Sequence, residues 1–406
     1  MSIVSILSGL WQSSGFSQLF TADGWKNLVM IVVALVFLFL AIHPKFRFEP
    51  LLLVPIAFGI LLANMPSTGL MADPAGLMTE LEEGVQPAHW YEDGVLRLIY
   101  AGVKSSIFPC LIFLGIGAMT DFGPLLANPI SLLLGAAAQL GIYVAFIIAI
   151  TIGKISGGAV DFTAGEAAAI AIIGGADGPT AIYTASKLAP HLLAPIALAA
   201  YSYMALIPLI QPPIMKLLTT KKEREVEMKQ LRSVSKVEKI IFPVVVFIIV
   251  ALLIPDAASL IGFLMLGNLF KECGVTDRLS ETAQNSLTNI VTIMLGTTVG
   301  ATANGQEFIQ VKTLLIVVLG LVAFSFSTAG GVLLGKVLYL VTGGKINPLI
   351  GAAGVSAVPM AARVAQVEGR KYNPKNFLLM HAMGPNVAGV IGSAVAAGFM
   401  LLMFNH

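Results

Sequence analysis

Residues 122–153, 188–215, 282–306, 313–335 and 376–406 contain no Asp, Glu, Lys or Arg. A helix crossing the hydrocarbon core of a bilayer takes about 20 mostly apolar residues. Long apolar runs of that kind are incompatible with a water-soluble surface. Only 11% of the 406 residues are charged and 57% are hydrophobic, whereas a soluble domain carries roughly 25% charged residues. Weaker spans fall at 27–42, 50–63, 105–121, 240–255 and 257–270. The expected fold is therefore an all-α polytopic membrane protein with about ten transmembrane helices.

Net charge and motif content exclude several functions. The net charge of +2 gives no general attraction for nucleic acid. The chain has no phosphate-binding GxxxxGK[ST], no GxGxxG, no HExxH and no GxSxG, so ATP-driven transport within this chain is not expected. The two cysteines, Cys110 and Cys273, suggest neither a disulfide nor a metal site. The amino terminus, MSIVSILSGLWQSSGF, lacks the basic start and cleavage site of a signal peptide. It reads as a retained interfacial helix.

Residues 216–239 hold Lys216, Lys221, Lys222, Arg224, Lys229, Arg232, Lys236 and Lys239, a third of all basic residues. The positive-inside rule makes this loop cytoplasmic, together with Lys45, Arg47, Arg363, Arg370, Lys371 and Lys375. The acidic stretch 64–104, with Asp73, Glu80, Glu82, Glu83, Glu92 and Asp93, suits an outside loop.

The two halves echo each other in order. LGIGAMTDFG (114–123) matches LGTTVGATANG (295–305), GKIS (153–156) matches GKIN (344–347), and ADGPTA (176–181) matches MGPNVA (383–388). Five expected crossings separate the first matched pair, an odd number, so the second copy is inverted. Segments near 155–176 and 346–362 are interrupted by glycine, proline and polar residues, which suits broken helices buried in protein. Inverted repeats with broken helices near the midplane characterise ion-coupled transporters. The expected organisation is an amino-terminal region 1–104, a first repeat 105–218, a basic cytoplasmic loop 219–239, connecting spans 240–280 and a second repeat 281–406.

Within the first broken element, GGADGPTAIY surrounds Asp177 with residues that cannot sustain a regular helix. Unwinding there frees backbone carbonyls beside a carboxylate, a hard-oxygen set that suits a small cation such as Na⁺. The other reading of Asp177 is a helix cap or a carboxyl protonated by burial. Asp161 and Glu166 read as caps or vestibule charges, and Asp121 as the end of a span.

The second element, INPLIGAAGVSAVPMAAR, carries Asn347, Gly351, Ser356 and Arg363. Gly351 and Ser356 serve either helix packing or the site. Arg363 either holds a carboxylate or snorkels to the interface. Asn386 stands in the second half's Gly-Pro turn as a cation ligand opposite Asp177 or as an amide satisfying freed carbonyls. Tyr201 and Tyr203 read as an aromatic belt, with Tyr203 deep enough to bring a hydroxyl to an ion site.

MTDFGPLLANP, GGADGPTAIY, AAYSYMALIPLIQPPIM, INPLIGAAGVSAVPMAARV and FLLMHAMGPNVAGVIGSA together resemble the β subunit of the sodium-pumping biotin-dependent decarboxylases. That family acts on oxaloacetate, methylmalonyl-CoA, glutaconyl-CoA or malonate, and the resemblance runs from about Pro109 to the end of the chain. It implies a multi-pass protein of the cell inner membrane that decarboxylates carboxybiotin on a partner carrier. Na⁺ is exported and a proton from outside is consumed.

The resemblance further implies partners: a carboxyltransferase α subunit, a biotin carrier, a small single-span γ or δ subunit and a homotrimer of β subunits. Na⁺ and biotin are the implied cofactors. The family's functional positions fall on Asp177, Tyr203, Asn347, Gly351, Ser356, Arg363 and Asn386. The implied mechanism gives Na⁺ to Asp177, Asn347, Asn386 and backbone carbonyls, with Gly351 in the same site. A second cation sits by Tyr203 and Ser356, whose hydroxyls release a proton toward carboxybiotin held at Arg363. Arg363, Tyr203 and Ser356 are thus the expected catalytic residues. The competing expectations are a sodium-coupled secondary transporter or Na⁺/H⁺ exchanger and, less informatively, a membrane anchor for soluble subunits.

Overall fold

A computed structural model describes residues 8–12, 14–19, 21, 24–44, 50–72, 93–155, 157 and 160–404. The extreme amino terminus, Lys45 and Arg47, and the acidic positions 73, 80, 82, 83 and 92 lie outside the described residues. Every regular element among the described residues is helical. The longer helices are α1 (Gly24–Ile42), α2 (Pro50–Ala63), α3 (Val95–Lys104), α4 (Ile107–Met119), α5 (Ser131–Ala138) and α6 (Leu140–Ile155). They continue with α7 (Ala164–Ala171), α8 (Gly178–Leu188), α9 (Leu193–Leu218), α10 (Lys236–Leu253) and α11 (Ala258–Glu272). The last four are α12 (Thr288–Ala301), α13 (Val311–Val341), α14 (Met360–Tyr372) and α15 (Leu379–Phe404).

The chain is a multi-pass membrane protein. Among the described residues five helical stretches are long and apolar enough to cross a bilayer: α1, α5 with α6, α9 with the turn before it, α13 and α15. The bent pair α3 and α4 counts as a sixth. The remaining expected crossings coincide with helices such as the 14-residue α2 and the 15-residue α11, which glycine and proline keep short of a full span. On α10 only Pro243 is buried, and Ile248, Ile249, Leu252 and Leu253 are all about half exposed or more. This exposed apolar face suits lipid, while Phe242, Val246 and Val250 pack against the core that includes Leu260 and Leu264 of α11.

Two compact units emerge. The first comprises residues 1–107 and 290–315. There α1 packs on α2, and Asn64 ties the returning segment to the end of α2. Its Nδ2 donates to Ile60 O and Ala303 O, both at 2.8 Å, while its Oδ1 accepts from Gly305 N at 2.8 Å.

The second unit comprises residues 108–289 and 316–406 and contains the broken elements. Its α15 packs against α5, α8, α14 and the 3₁₀ helix Pro348–Gly354. Small residues along α15, among them Ala382, Gly384, Ala388, Gly389 and Ala394, are buried and allow this close approach. The Gly-Pro pair that echoes the first half's break does not interrupt α15: Pro385 lies inside the helix. Unlike Pro179, it is preceded by no left-handed residue and no capping carboxylate, so the helix runs on through it.

Candidate functional site

The first broken element is built from local chemistry. Thr163 caps α7 in a reciprocal box in which Glu166 N donates to Thr163 Oγ1 and Thr163 N donates to Glu166 Oε2. Glu166 also meets His191 at 2.8 Å, so it is a cap rather than a ligand. Asp161 is exposed. After α7 the chain tightens into a 3₁₀ turn, Ile172–Gly175. Ala176 then takes a left-handed conformation with φ 56°, which ends the helix. Asp177 caps α8, its Oδ1 accepting from Thr180 N at 3.2 Å, and Pro179 occupies a first-turn position where its missing N–H costs nothing.

Asp177 is only 3% exposed. Its Oδ2 accepts from the Ser393 hydroxyl of α15 at 2.8 Å. Tyr201 and Ser356 lie close enough to act on it electrostatically. Among the described residues no cation pairs with this carboxylate. Gly178 is pressed against the Tyr201 ring, where an added Cβ would come within 2.6 Å. The Tyr201 hydroxyl is buried and unpartnered.

The second broken element starts with Asn347, whose Oδ1 caps Leu349 N at 3.0 Å and opens the 3₁₀ helix Pro348–Gly354. An extended stretch follows before α14. In that stretch Ser356 donates both its backbone N–H (2.9 Å) and its hydroxyl (2.6 Å) to Gly175 O, so the two breaks join at their unwound points. Asn386 bridges from α15, donating to Ala353 O at 3.0 Å and Val355 O at 2.7 Å. Its Oδ1 is left buried without a partner.

The expected residues thus divide. Asp177 and Ser356 meet at the joined breaks, and Asn386 bonds the carbonyls flanking Ser356. Tyr203 turns away: two residues along a helix point to opposite sides, and its hydroxyl donates to Val317 O on α13 while Tyr201 faces Asp177. Gly351 packs on α13, each of Gly351 and Gly331 having the other's carbonyl oxygen 2.0 Å from where its Cβ would stand. Asn347 lies at the opposite end of its element from Ser356, donating to Arg224 O (3.0 Å) and Val226 O (2.9 Å) of the loop after α9. Arg363 is exposed on the first turn of α14, without an ion pair among the described residues. Asp121 ends its span as expected, meeting Lys239 Nζ and Gly123 N, both at 2.8 Å.

Ser393 and Gln139 escape sequence reasoning. Ser393 sits among alanines and glycines like any packing serine, and gives no signal. Gln139 does give one, as an amide deep within the charge-free run 122–153.

A buried carboxylate at the junction of two broken helices, with neutral donors and no paired cation among the described residues, is the kind of arrangement that intramembrane ion sites use. A family model described as "Na+-transporting oxaloacetate decarboxylase beta subunit" matches residues 26–404. The chain belongs to this family, the β subunits that form membrane-bound components of Na⁺-transporting decarboxylases. It is 59% identical to the methylmalonyl-CoA decarboxylase subunit β of Propionigenium modestum, over 97% of this chain and 98% of that one. It is 58% identical to the glutaconyl-CoA decarboxylase subunit β of Acidaminococcus fermentans, over 98% of each chain. To the oxaloacetate decarboxylase β chain of Klebsiella pneumoniae it is 52% identical, over 97% of this chain and 98% of that one.

Proposed function

We propose that this chain decarboxylates carboxybiotin carried by a partner subunit and couples that reaction to Na⁺ export across the cell inner membrane, consuming a proton taken from outside. The observation that carries the reading is Asp177, buried at the joined breaks, where Thr180 N and Ser393 Oγ donate to it and no cation among the described residues pairs with it. A buried carboxyl without a counter-ion carries either a proton or a bound cation. Exchanging one for the other is the elementary act of a cation pump.

In this reading Na⁺ binds Asp177 with oxygens from Ser356, Asn386 and the carbonyls freed at the breaks. The cytoplasmic Arg363, an exposed fork of donors, holds the carboxylate of carboxybiotin. Cleavage of the N–CO₂⁻ bond releases CO₂, and the ureido nitrogen takes up the proton. Ser356 supplies a hydroxyl along the route, and Tyr203 ties α9 to α13 through Val317 O. Asn347 and Gly351 support this arrangement by fixing the second broken element to its neighbours. Coupling requires that decarboxylation favour one of two access states of the site. The partners are a carboxyltransferase α subunit, a biotin carrier and a small membrane subunit, around a homotrimer of β subunits.

The test is CO₂ release from a carboxybiotinylated carrier by the complex in sealed vesicles, with and without Na⁺, while following ²²Na⁺. Release that requires Na⁺ and is matched by ²²Na⁺ movement is the expected result. If Na⁺ moves with no carrier present and carboxybiotin stays intact, the protein is a secondary transporter instead.

A further inference from the structure

We infer that Gln139 and Ser393 complete the cation site around Asp177, Gln139 through its Oε1 and Ser393 through its hydroxyl oxygen. This deepens the cation-site reading above and rests on it.

Gln139 occupies the one-residue interruption between α5 and α6 and is 4% exposed. Its Nε2 donates to Gly135 O at 3.0 Å and reaches Gly389 O at 3.4 Å. Both acceptors are carbonyls, so the nitrogen end of the amide is determined and the oxygen end faces the other way. That Oε1 is buried and unpartnered. A buried acceptor left unmade costs about 1–3 kcal/mol, and such groups call for a ligand or a function.

The oxygen faces Gly175. A Cβ on Gly175 would stand 3.7 Å from Gln139 Oε1 and 3.0 Å from Ser393 Cβ. Glycine at this point lets both side chains approach the turn that ends at Asp177, and its carbonyl is the one that receives Ser356. The Ser393 hydroxyl has a single proton and two acceptors in reach, Asp177 Oδ2 at 2.8 Å and Val390 O at 3.1 Å. Turning the proton to Val390 presents a lone pair toward the carboxylate. Tyr201 OH and Asn386 Oδ1 are further buried oxygens without partners in this unit.

The donor set selects the class of ion. These are hard oxygens, which favour alkali or alkaline-earth cations over soft metals. Among the described residues no three His, Cys, Asp or Glu side chains cluster to hold a metal. One carboxylate with neutral oxygens balances a monovalent charge, so an alkali cation such as the Na⁺ of that reading fits rather than Ca²⁺ or Mg²⁺.

The experiment is equilibrium ²²Na⁺ binding to the purified full chain in nanodiscs, for wild type, Gln139→Met, Ser393→Ala and Asp177→Asn. Thermal unfolding in Na⁺-free buffer monitors folding. Gln139→Met and Ser393→Ala are each expected to raise the Na⁺ concentration at half-saturation about tenfold or more. A folded variant with wild-type half-saturation overturns the assignment of its residue. If wild type binds no Na⁺, or Asp177→Asn binds it normally, the cation-site reading itself is lost. Infrared difference spectra of wild type labelled with side-chain ¹³C-carbonyl glutamine need no variant. A glutamine carbonyl band that shifts on replacing K⁺ with Na⁺ is expected, and an unmoved band removes Gln139 from the site.

Discussion

Ser356 and Gly175, 181 residues apart, are joined by two hydrogen bonds to one carbonyl, the serine giving its N–H at 2.9 Å and its hydroxyl at 2.6 Å. The contact locks the unwound points of two broken elements together. Asp177 lies two residues from the shared carbonyl. Ser356→Ala retains the backbone bond and loses the hydroxyl one. We expect a loss of stability of about 1 kcal/mol, measured by thermal unfolding, and a larger fractional loss of Na⁺-dependent CO₂ release.

The two tyrosines of α9 make different contacts, Tyr203 with Val317 O and Tyr201 with Gly178 beside Asp177. Tyr203→Phe removes a buried hydrogen bond to Val317 O and is expected to cost about 1 kcal/mol of stability. Tyr201→Phe removes no protein hydrogen bond among the described residues and should leave unfolding nearly unchanged. Its effect falls on the Na⁺ concentration for half-maximal CO₂ release. A Tyr203 variant with normal stability and a shifted Na⁺ requirement would reverse these assignments.

Gly351 and Gly331 allow α13 and the second broken element to touch backbone to backbone. Gly351→Ala puts a methyl 2.0 Å from Gly331 O, and that carbonyl cannot move without bending α13. Overpacking of this kind costs about 1–3 kcal/mol. A lowered unfolding temperature in detergent, with a matching fall in CO₂ release, is the expected outcome.

The loop after α9 is clamped by asparagines. Asn347 binds the carbonyls of Arg224 and Val226, Asn376 also binds Val226 O, and Asn373 binds Glu225 O. Asn347→Ala leaves the Arg224 carbonyl without that partner and frees one end of the second broken element. Trypsin cleavage at Lys222, Arg224 or Lys229 is expected to accelerate several-fold, while cleavage in other loops stays constant.

Asp121 supplies a pH dependence at the membrane boundary. Partial burial raises its carboxyl, but the Lys239 ammonium and the Gly123 N–H outweigh that and hold it below the usual carboxylate range. A group depressed in the folded state contributes stability above its unfolded pKa of about 3.9, and the contribution is lost as pH falls through the folded value. Unfolding temperature should therefore drop more steeply on acidification below about pH 4 in wild type than in Asp121→Asn. Parallel curves would show that the Lys239 pair does not contribute.

What the chain declares on its own is local. Apolar runs without charge mark helices for lipid, and Ala-Asp-Gly-Pro can only end one helix and cap the next, so the break at Asp177 is legible from four adjacent residues. The same holds for Asn347-Pro348, where an amide precedes proline at a helix start. Neighbouring residues determine these features through backbone sterics and capping, which act within a turn. Other features depend on which helix face meets which across long separations. Tyr201 faces Asp177 and Tyr203 does not because of how α9 is rotated against α8. Ser393 reaches Asp177 from 216 residues away, and Gly175 receives Ser356 only because the two breaks lie together. Asn347 carries the same amide as Asn386, yet one binds the loop after α9 and the other the carbonyls around Ser356. Packing of small residues along α15 decided that division, because side-chain partners are set by the approach of backbones that no local pattern specifies.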